Sequence, residues 1–344
     1  MHSRRQTLPH PLGGTLELPC LVPSFSSRGF ARVRERHGAA EYSEADIALR
    51  ASLPGIGRIA LVSAYDLHHE LLPSGELLYE DDRVVMIDSG GYELSAEPDS
   101  AFPGVVAPVP EGFGREDHLR VLHEIPGSAR LVISNFDWDM RGVPVASQIK
   151  EARELFESFP DAMHDLLLKP SEREAYINPV EILAEASLLD GVPIVGFTEK
   201  ELGPELRERL AALVQFRRAL DTLRSPPALH VWGGLDPLVT PLYFFAGAQI
   251  FDGVSWLRYA YVDGLAANRE AFSILRVGLG VSGAIRQASM LRHNLRQLEA
   301  LEAGLAAFAD SEETDFSVLP WRAHVYEETC AELAELEVWE VRHA

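Results

Sequence analysis

The stretch that decides the fold is residues 84–93, VVMIDSGGYE, in which four apolar residues lead directly into an aspartate and two glycines. A short apolar run that ends in turn residues is typical of a strand covered on both faces. Four more such runs follow, at residues 131–134, 192–195, 229–232 and 248–251. They alternate with helical patterns, as the strands of a parallel sheet do. The sequence therefore predicts an α/β protein.

Helix signals fill the gaps between these predicted strands. Residues 178–181 (NPVE) supply an N-cap, a proline at the first helical position and an acid in the first turn. A second helix is predicted from Pro204, because apolar residues follow it at every third or fourth position. Residues 281–344 are helical in pattern apart from a candidate strand at 336–339. We expect a helical segment to close the chain.

Composition excludes some classes of protein. The 344 residues are 47% hydrophobic and 24% charged, which is typical of a folded chain with a sizeable core, either one large α/β domain or two mid-sized ones. Lys and Arg number 31 against 52 Asp and Glu, a net charge of −21. A surface so acidic argues against general binding of polyanions, so any contact with nucleic acid must be local.

The cysteines and the N-terminus bear on the compartment. Cys20 and Cys330 lie far apart with no CxxC spacing, so neither a disulfide framework nor a cysteine-rich zinc site is predicted. No apolar stretch follows the N-terminal arginines, and the weakly polar run at 237–251 is too short to span a membrane. We expect a cytoplasmic protein without a membrane partner.

Three aspartates come directly after apolar runs: Asp88, Asp137 and Asp252. In an α/β barrel the carboxyl ends of all strands share one rim, where these carboxylates could converge on a pocket. The alternative is that each aspartate only caps a helix or turn. The glycines at 90 and 91 allow close backbone approach to a flat ligand, which Tyr92 could cover.

Two later segments, 230–237 (HVWGGLDP) and 247–254 (GAQIFDGV), follow the DSGG segment in order. Together the three resemble the signatures of the tRNA-guanine transglycosylase family (queuine or archaeosine tRNA-ribosyltransferases): a DSGGFQ-type strand end, an HVLGxGTP-type segment and an FDCVxPTR-type segment. Residues 18–23 (LPCLVP) resemble the family's early TPxFMPV strand, and 291–295 (LRHNL) its late HNL. The resemblance covers about residues 16–310.

This resemblance implies a (β/α)8 TIM-like barrel that exchanges guanine in tRNA for a 7-deazaguanine base through a covalent aspartyl-glycosyl intermediate. A relative of the family acts on DNA, so tRNA and DNA both remain candidate partners. The implied chain is a single barrel domain, 1–344, with N-terminal entry strands and loops (1–80), a barrel core (81–280) and a helical C-terminal segment (281–344). No cofactor is implied, and a homodimer or a partner subunit fits the family.

The resemblance assigns roles residue by residue. Asp252 matches the nucleophile, and Asp88 matches the group that transfers protons at the base. The implied base-binding residues are Tyr92, Asp137, Gly196, Ser89, Gly90 and Gly91. The nucleic-acid-binding candidates are Arg258, Arg286 and Arg292; other local cations that could line a strand-binding rim are Arg28, Arg32, Arg34, Arg36 and Arg296. The alternative for these arginines is that they balance an acidic surface.

The chain departs from the family at several places. The CxCxxC zinc ligands are absent, so we expect no metal and no zinc subdomain, and His293 is expected to be an ordinary helix residue. No glutamine-glycine element occurs around 166–170, and Glu93 replaces the family's glutamine. The GGLxVGE loop survives only as 195–201, where Glu199 or Glu201 could take the role of its glutamate.

Two other functions remain open at this point. One is a non-catalytic barrel subunit or binding partner that kept the base pocket. The other is a glycosyl-transfer enzyme on free nucleosides or small glycosides, which the net charge of −21 and the missing docking elements favour.

Overall fold

The computed structural model describes residues 1–30, 32–34, 41–73, 76–79, 83–95, 112–173 and 176–339. In this part of the chain eight parallel strands close into a barrel, with helices around it and a helical segment at the C-terminus. The predicted (β/α)8 TIM-like architecture is confirmed. No helix within the described ranges is both long and apolar enough to cross a membrane.

The strands, in chain order, are β1 (Gln6–Pro9), β2 (Thr15–Leu18), β3 (Cys20–Phe25), β4 (Arg32–Arg34), β5 (Glu41–Ser43), β6 (Ile59–Ser63), β7 (Val84–Asp88), β8 (Arg130–Ser134), β9 (Met163–Leu168), β10 (Ile194–Thr198), β11 (Ala228–Trp232), β12 (Ile250–Gly253), β13 (Ala260–Val262) and β14 (Leu265–Ala267). The barrel consists of β3 and β6 to β12 in chain order, and β12 pairs with β3 to close it. The other strands form three separate antiparallel pairs.

The helices are α1 (Glu44–Ser52), α2 (Ala64–His68), α3 (Glu76–Tyr79), α4 (Gly91–Leu94), α5 (Arg115–Glu124), α6 (Val145–Phe156), α7 (Pro179–Ala184), α8 (Leu206–Leu220), α9 (Thr240–Phe245), α10 (Ser255–Arg258), α11 (Arg269–Phe272), α12 (Gly283–Asp310) and α13 (Ala323–Glu335). Single 3₁₀ turns occur at Leu53–Gly55, Ala186–Leu189, Glu199–Glu201 and Phe316–Val318, and a π turn at Ser273–Val277.

Local chemistry explains where these helices begin. The side chain of Asn178 accepts a hydrogen bond from the backbone N–H of Val180, so the predicted N-cap of α7 is confirmed. The helix predicted from Pro204 begins two residues later, at Leu206. The leucines of α12 at 295, 298, 301 and 305 are all buried, as its amphipathic pattern predicts.

The barrel interior changes from apolar to polar along its axis. Side chains of one strand alternate between the inside and the outside, so Val84, Met86 and Asp88 of β7 all face inward. Val84 and Met86 belong to an inner apolar cluster that also contains leucines of the β1–β2 hairpin, which fills the N-terminal end of the barrel. Polar residues take the inward positions only toward the carboxyl ends of the strands. The candidate site is therefore at that rim.

The strand boundaries differ from the predicted ones in places. Two barrel strands, β3 and β6, lie within residues 1–80, so the barrel begins before the expected core at 81. β10 and β12 each start two residues later than predicted, and β9 was not among the predicted strands. Residues 336–339 form no strand, because α13 ends at Glu335 and turns there.

Candidate active site

The carboxyl ends of the strands bring the three predicted aspartates to one rim. Asp88 ends β7, Asp137 follows β8, and Asp252 lies in β12. They are close enough for the negative charges of Asp137 and Asp252 to act on Asp88. The barrel thus gathers carboxylates that are far apart in sequence.

Asp252 is held from several sides. The Ser24 hydroxyl of β3 donates a hydrogen bond of 2.8 Å to Oδ2, and the backbone N–H of Gly233 donates one of 2.8 Å to Oδ1. Gly233 follows β11 with φ +77°, a conformation that glycine adopts without strain. Asp252 is only 6% exposed, so these donors fix its direction at the rim.

His230 lies behind Asp252 and is paired with a second carboxylate, that of Asp165. His230 Nε2 is 3.2 Å from Asp252 Oδ1, and His230 Nδ1 is 2.6 Å from Asp165 Oδ2. Burial lowers the pKa of His230, but the carboxylates of Asp165 and Asp252 outweigh it and raise that pKa to about 9. His230 is therefore a cation at neutral pH. Sequence reasoning quoted His230 within a motif and missed Asp165 entirely.

Asp88 has a different environment. Among the described residues its hydrogen bond comes from the backbone N–H of Gly90, at 3.2 Å. Burial, followed by the negative charges of Asp137, Glu93 and Asp252, raises the pKa of Asp88 well above its usual value. Burial and these charges therefore favour the protonated form of the carboxyl, which suits a proton donor.

Asp137 is paired with a lysine. Its Oδ2 lies 2.9 Å from Lys169 Nζ, and its Oδ1 accepts a hydrogen bond from the Ser89 hydroxyl. Lys169 also contacts Glu201 at 3.3 Å, and these two carboxylates raise its pKa although burial lowers it. Of the two candidate glutamates, Glu201 is thus tied to the site. Glu199 instead binds Arg209 and Tyr243.

The glycines are needed for close packing at this rim. A Cβ on Gly90, which has φ +96°, would lie 2.6 Å from the Cβ of Tyr65. A Cβ on Gly196 would lie 2.3 Å from the indole nitrogen of Trp232. Gly91 packs against the Asp137 carboxylate, whose Oδ1 a Cβ there would approach to 3.2 Å. Gly196 therefore provides space for Trp232.

Tyr92 is held by two arginines. The Arg28 guanidinium carbon lies 4.5 Å from the ring centroid, and Arg258 Nη2 donates to the Tyr92 hydroxyl at 3.1 Å. Arg258 also donates to the Arg28 carbonyl at 2.8 Å and is only 6% exposed. Arg258 therefore faces Tyr92 from within the protein, and its role as a contact for nucleic acid stays a prediction. Arg28 covers one face of the ring.

The remaining predicted arginines that the structure describes belong to α12 and β4. Arg286 is half-buried, whereas Arg292 and Arg296 are exposed along α12. The backbones of Arg32 and Arg34 belong to β4, and Arg36 lies outside the described residues.

Two further acids, Glu93 and Asp66, lie buried next to Asp88. Glu93 accepts a hydrogen bond from the Ser26 hydroxyl, and Asp66 accepts from the backbone and hydroxyl of Ser27. Burial raises the pKa of Asp66 to about 7, and burial with the charge of Asp66 raises that of Glu93 to about 8. Asp66 was missed, although its place in the first turn of α2, capped by Ser63, is a recognisable helix start.

His293 is half-buried in α12, with its ring centroid 5.4 Å from that of Phe272. Within the described ranges no group of three or more His, Cys, Asp or Glu side chains is arranged to hold a metal ion. Both cysteines are buried and unbridged.

No protein-family model matches the chain, and no curated protein matches it. Its function is therefore inferred from the barrel and from the chemistry of the rim.

Proposed function

We propose that the chain is a pentosyltransferase that exchanges a guanine base in tRNA or DNA for a 7-deazaguanine. The single observation that supports this most is the division of labour between two carboxyl groups of one rim. Asp252 is surrounded by donors and a cation, which stabilise negative charge on a nucleophile. Asp88 has a raised pKa, which suits a proton donor.

The reaction has two displacements. In the first, a carboxylate oxygen of Asp252 attacks the ribosyl C1′, the C1′–N bond breaks with its electron pair leaving on the base, and Asp88 gives that base a proton. In the second, the incoming 7-deazaguanine loses its ring N–H proton to Asp88 and attacks C1′, which releases the Asp252 carboxylate. Both steps pass through an oxocarbenium-like state that negative charge stabilises.

The base would lie between Tyr92, Asp137 and the backbone of Gly90, Gly91 and Gly196. Asp137 keeps lone pairs for N–H groups of the base, because Lys169 and Ser89 use only one direction at each oxygen. Ser89 orients that carboxylate. Tyr92, whose ring is already stacked on the Arg28 guanidinium, is the aromatic residue proposed to pack on the base.

The polynucleotide would be held by local cations. Arg286 and Arg292 of α12 are the proposed phosphate contacts, because the side chain of Arg258 is engaged with Tyr92. We place the protein in the cytoplasm, which the buried, unbridged cysteines favour. It would act as a homodimer or with a partner subunit.

Glycosyl transfer on free nucleosides is the second candidate. It is favoured by the net charge of −21 and by the burial of Arg28 and Arg258, which leave the rim with fewer cations for phosphates than the family motif implies.

The test is transfer of radiolabelled guanine or 7-deazaguanine by the purified protein into bulk tRNA, duplex DNA or a nucleoside mixture, each offered separately. Asp252→Asn should reduce transfer by about 10⁴-fold, because an amide cannot form the glycosyl ester. The matched control is Asp161→Asn, an exposed aspartate away from the rim, which should transfer normally.

The outcomes separate the candidates. Label in one polymer, lost in Asp252→Asn, supports base exchange and identifies the substrate. Label in nucleosides alone supports the second candidate. Absence of label from all three substrates, or unchanged transfer by Asp252→Asn, contradicts the proposal.

A further inference from the structure

Three buried polar side chains form a chain across the barrel interior. Asp165 of β9 contacts His230 of β11 at 2.6 Å, and His230 contacts Asp252 of β12 at 3.2 Å. The side chains of Asp165 and His230 are fully buried, and that of Asp252 is 8% exposed. The two displacements described above use only the last member of this chain.

These polar groups stand among apolar neighbours in the barrel interior. The inward residues toward the N-terminal ends of the same strands are apolar: Met163 in β9, Ala228 in β11 and Ile250 in β12. Burying two carboxylates and an imidazole is costly unless they are paired with one another. His230 supplies this pairing, because it contacts both Asp165 and Asp252.

Asp165 determines which way the imidazole is protonated. Because Nδ1 donates to Asp165, any hydrogen on the ring beyond that one lies on Nε2, which faces Asp252. The imidazole also packs against Trp232, with ring centroids 4.3 Å apart and an interplanar angle of 30°. Gly196 leaves the space that the indole needs.

The two oxygens of Asp252 then have different partners. Oδ1 accepts from Gly233 and faces His230, whereas Oδ2 accepts from Ser24. The 3.2 Å contact from Nε2 has the distance of an ion pair without the alignment of a full hydrogen bond. Such contacts often tighten only in the reacting complex. His230 can thus stabilise the Asp252 carboxylate when the second displacement releases it.

We propose that His230, oriented by Asp165, is the positioning residue for the nucleophile Asp252, with Nε2 facing Oδ1 at ion-pair distance. The part that concerns catalysis rests on the proposed function. The ionisable groups that face His230 among the described residues are Asp165 from β9 and Asp252 from β12.

The first arm of the test compares two substitutions at His230. His230→Phe keeps a flat ring but removes both donors, and it should lower kcat by about 10- to 100-fold with KM changed less than about twofold. His230→Gln can still present an N–H to Asp252 and should recover part of that loss. A residue that only fills space would show the reverse order, since Phe fills the apolar surroundings better.

The second arm needs no substrate, and its deciding measurement is made on the wild-type protein. Nitrogen NMR of the wild-type protein labelled in histidine should show both ring nitrogens of His230 protonated at pH 7, and Asp165→Asn should remove this state. An Nε2 without its proton at pH 7 would overturn the proposal.

The two arms keep the failures apart. If the wild type transfers no base to any substrate, the proposed function fails, and NMR alone decides whether Nε2–H is directed at Asp252. If the wild type transfers base and His230→Phe transfers it at the same rate, only the positioning role fails.

Discussion

The rim of the barrel has two sides, and its carboxyl groups have different neighbours on each. On one side, Asp252 and Asp137 are each next to a buried cation, His230 or Lys169. On the other, the hydrogen bonds that Asp88, Asp66 and Glu93 accept within the described chain come from hydroxyls and backbone amides only.

This difference assigns chemical roles to identical side chains. Carboxyl groups beside cations are stabilised as anions, whereas carboxyl groups crowded together without one retain their protons. A nucleophile and a proton donor can therefore stand on different strands of one rim at the same pH. The side near β6 and β7 is the proton-holding side, and the side near β9, β11 and β12 is the cation-paired side.

The first prediction concerns Asp88, the proton donor proposed for the proton-holding side. Asp88→Asn should slow base exchange by about 10²- to 10⁴-fold, because an amide can neither give nor take the proton of the base. Stability should be kept, since burial and the charges of Glu93, Asp137 and Asp252 already favour the neutral form of Asp88, which Asn imitates. Label transfer and thermal unfolding measure the two effects, and normal transfer by this variant would show that Asp88 is not the proton donor.

The next effect tests the cation-paired side. Lys169→Met leaves the buried carboxylates of Asp137 and Glu201 without their shared lysine, so the free energy of unfolding should fall by about 3–5 kcal/mol. Urea unfolding measures it. Lys150→Met, at an exposed lysine of α6, is the matched control and should change stability by less than about 0.5 kcal/mol. Equal losses in both variants would mean that the buried pair contributes no more than a surface one.

The last prediction is a pH dependence of stability, spread over several pH units. Folding raises the pKa of Glu93 from 4.5 to about 8 and that of Asp66 from 3.8 to about 7. Between these values the folded state holds protons that the unfolded state has released, so stability falls as pH rises, by at most about 1.4 kcal/mol per pH unit for each group.

Urea unfolding between pH 5 and pH 8 checks this slope. Glu93→Gln removes one of the two titrating groups and should make the decline shallower, whereas Glu116→Gln, on the exposed surface of α5, should leave it unchanged. A decline of the same steepness in Glu93→Gln would mean that Glu93 is ionised in the folded protein.

The sequence predicted the fold and the position of the acids for one shared reason. Apolar runs that end in Asp88 or Asp252 mark the carboxyl ends of parallel strands, which must meet at one rim. β6 follows a stretch without a clear pattern, and the apolar run of β9 is interrupted by His164 and Asp165, so neither strand stood out.

The partners of the acids could not be predicted in the same way. His230 and Asp165 meet only because β9, β10 and β11 align with a particular register, which side-chain periodicity does not specify. The family resemblance made Arg258 a candidate for binding nucleic acid, and its burial against Tyr92 depends on how α10 packs, which the resemblance does not specify.

The β1–β2 hairpin has a consequence for how bases would enter and leave the barrel. Leu8, Leu16 and Leu18 belong to the apolar cluster at the N-terminal end of the barrel, so in the proposed reaction both bases would enter and leave at the opposite end. The outgoing and incoming bases would then pass, one after the other, through the end formed by the carboxyl ends of the strands. A barrel used from one end would fix the order of the exchange, because the first base would have to leave before its replacement could bind.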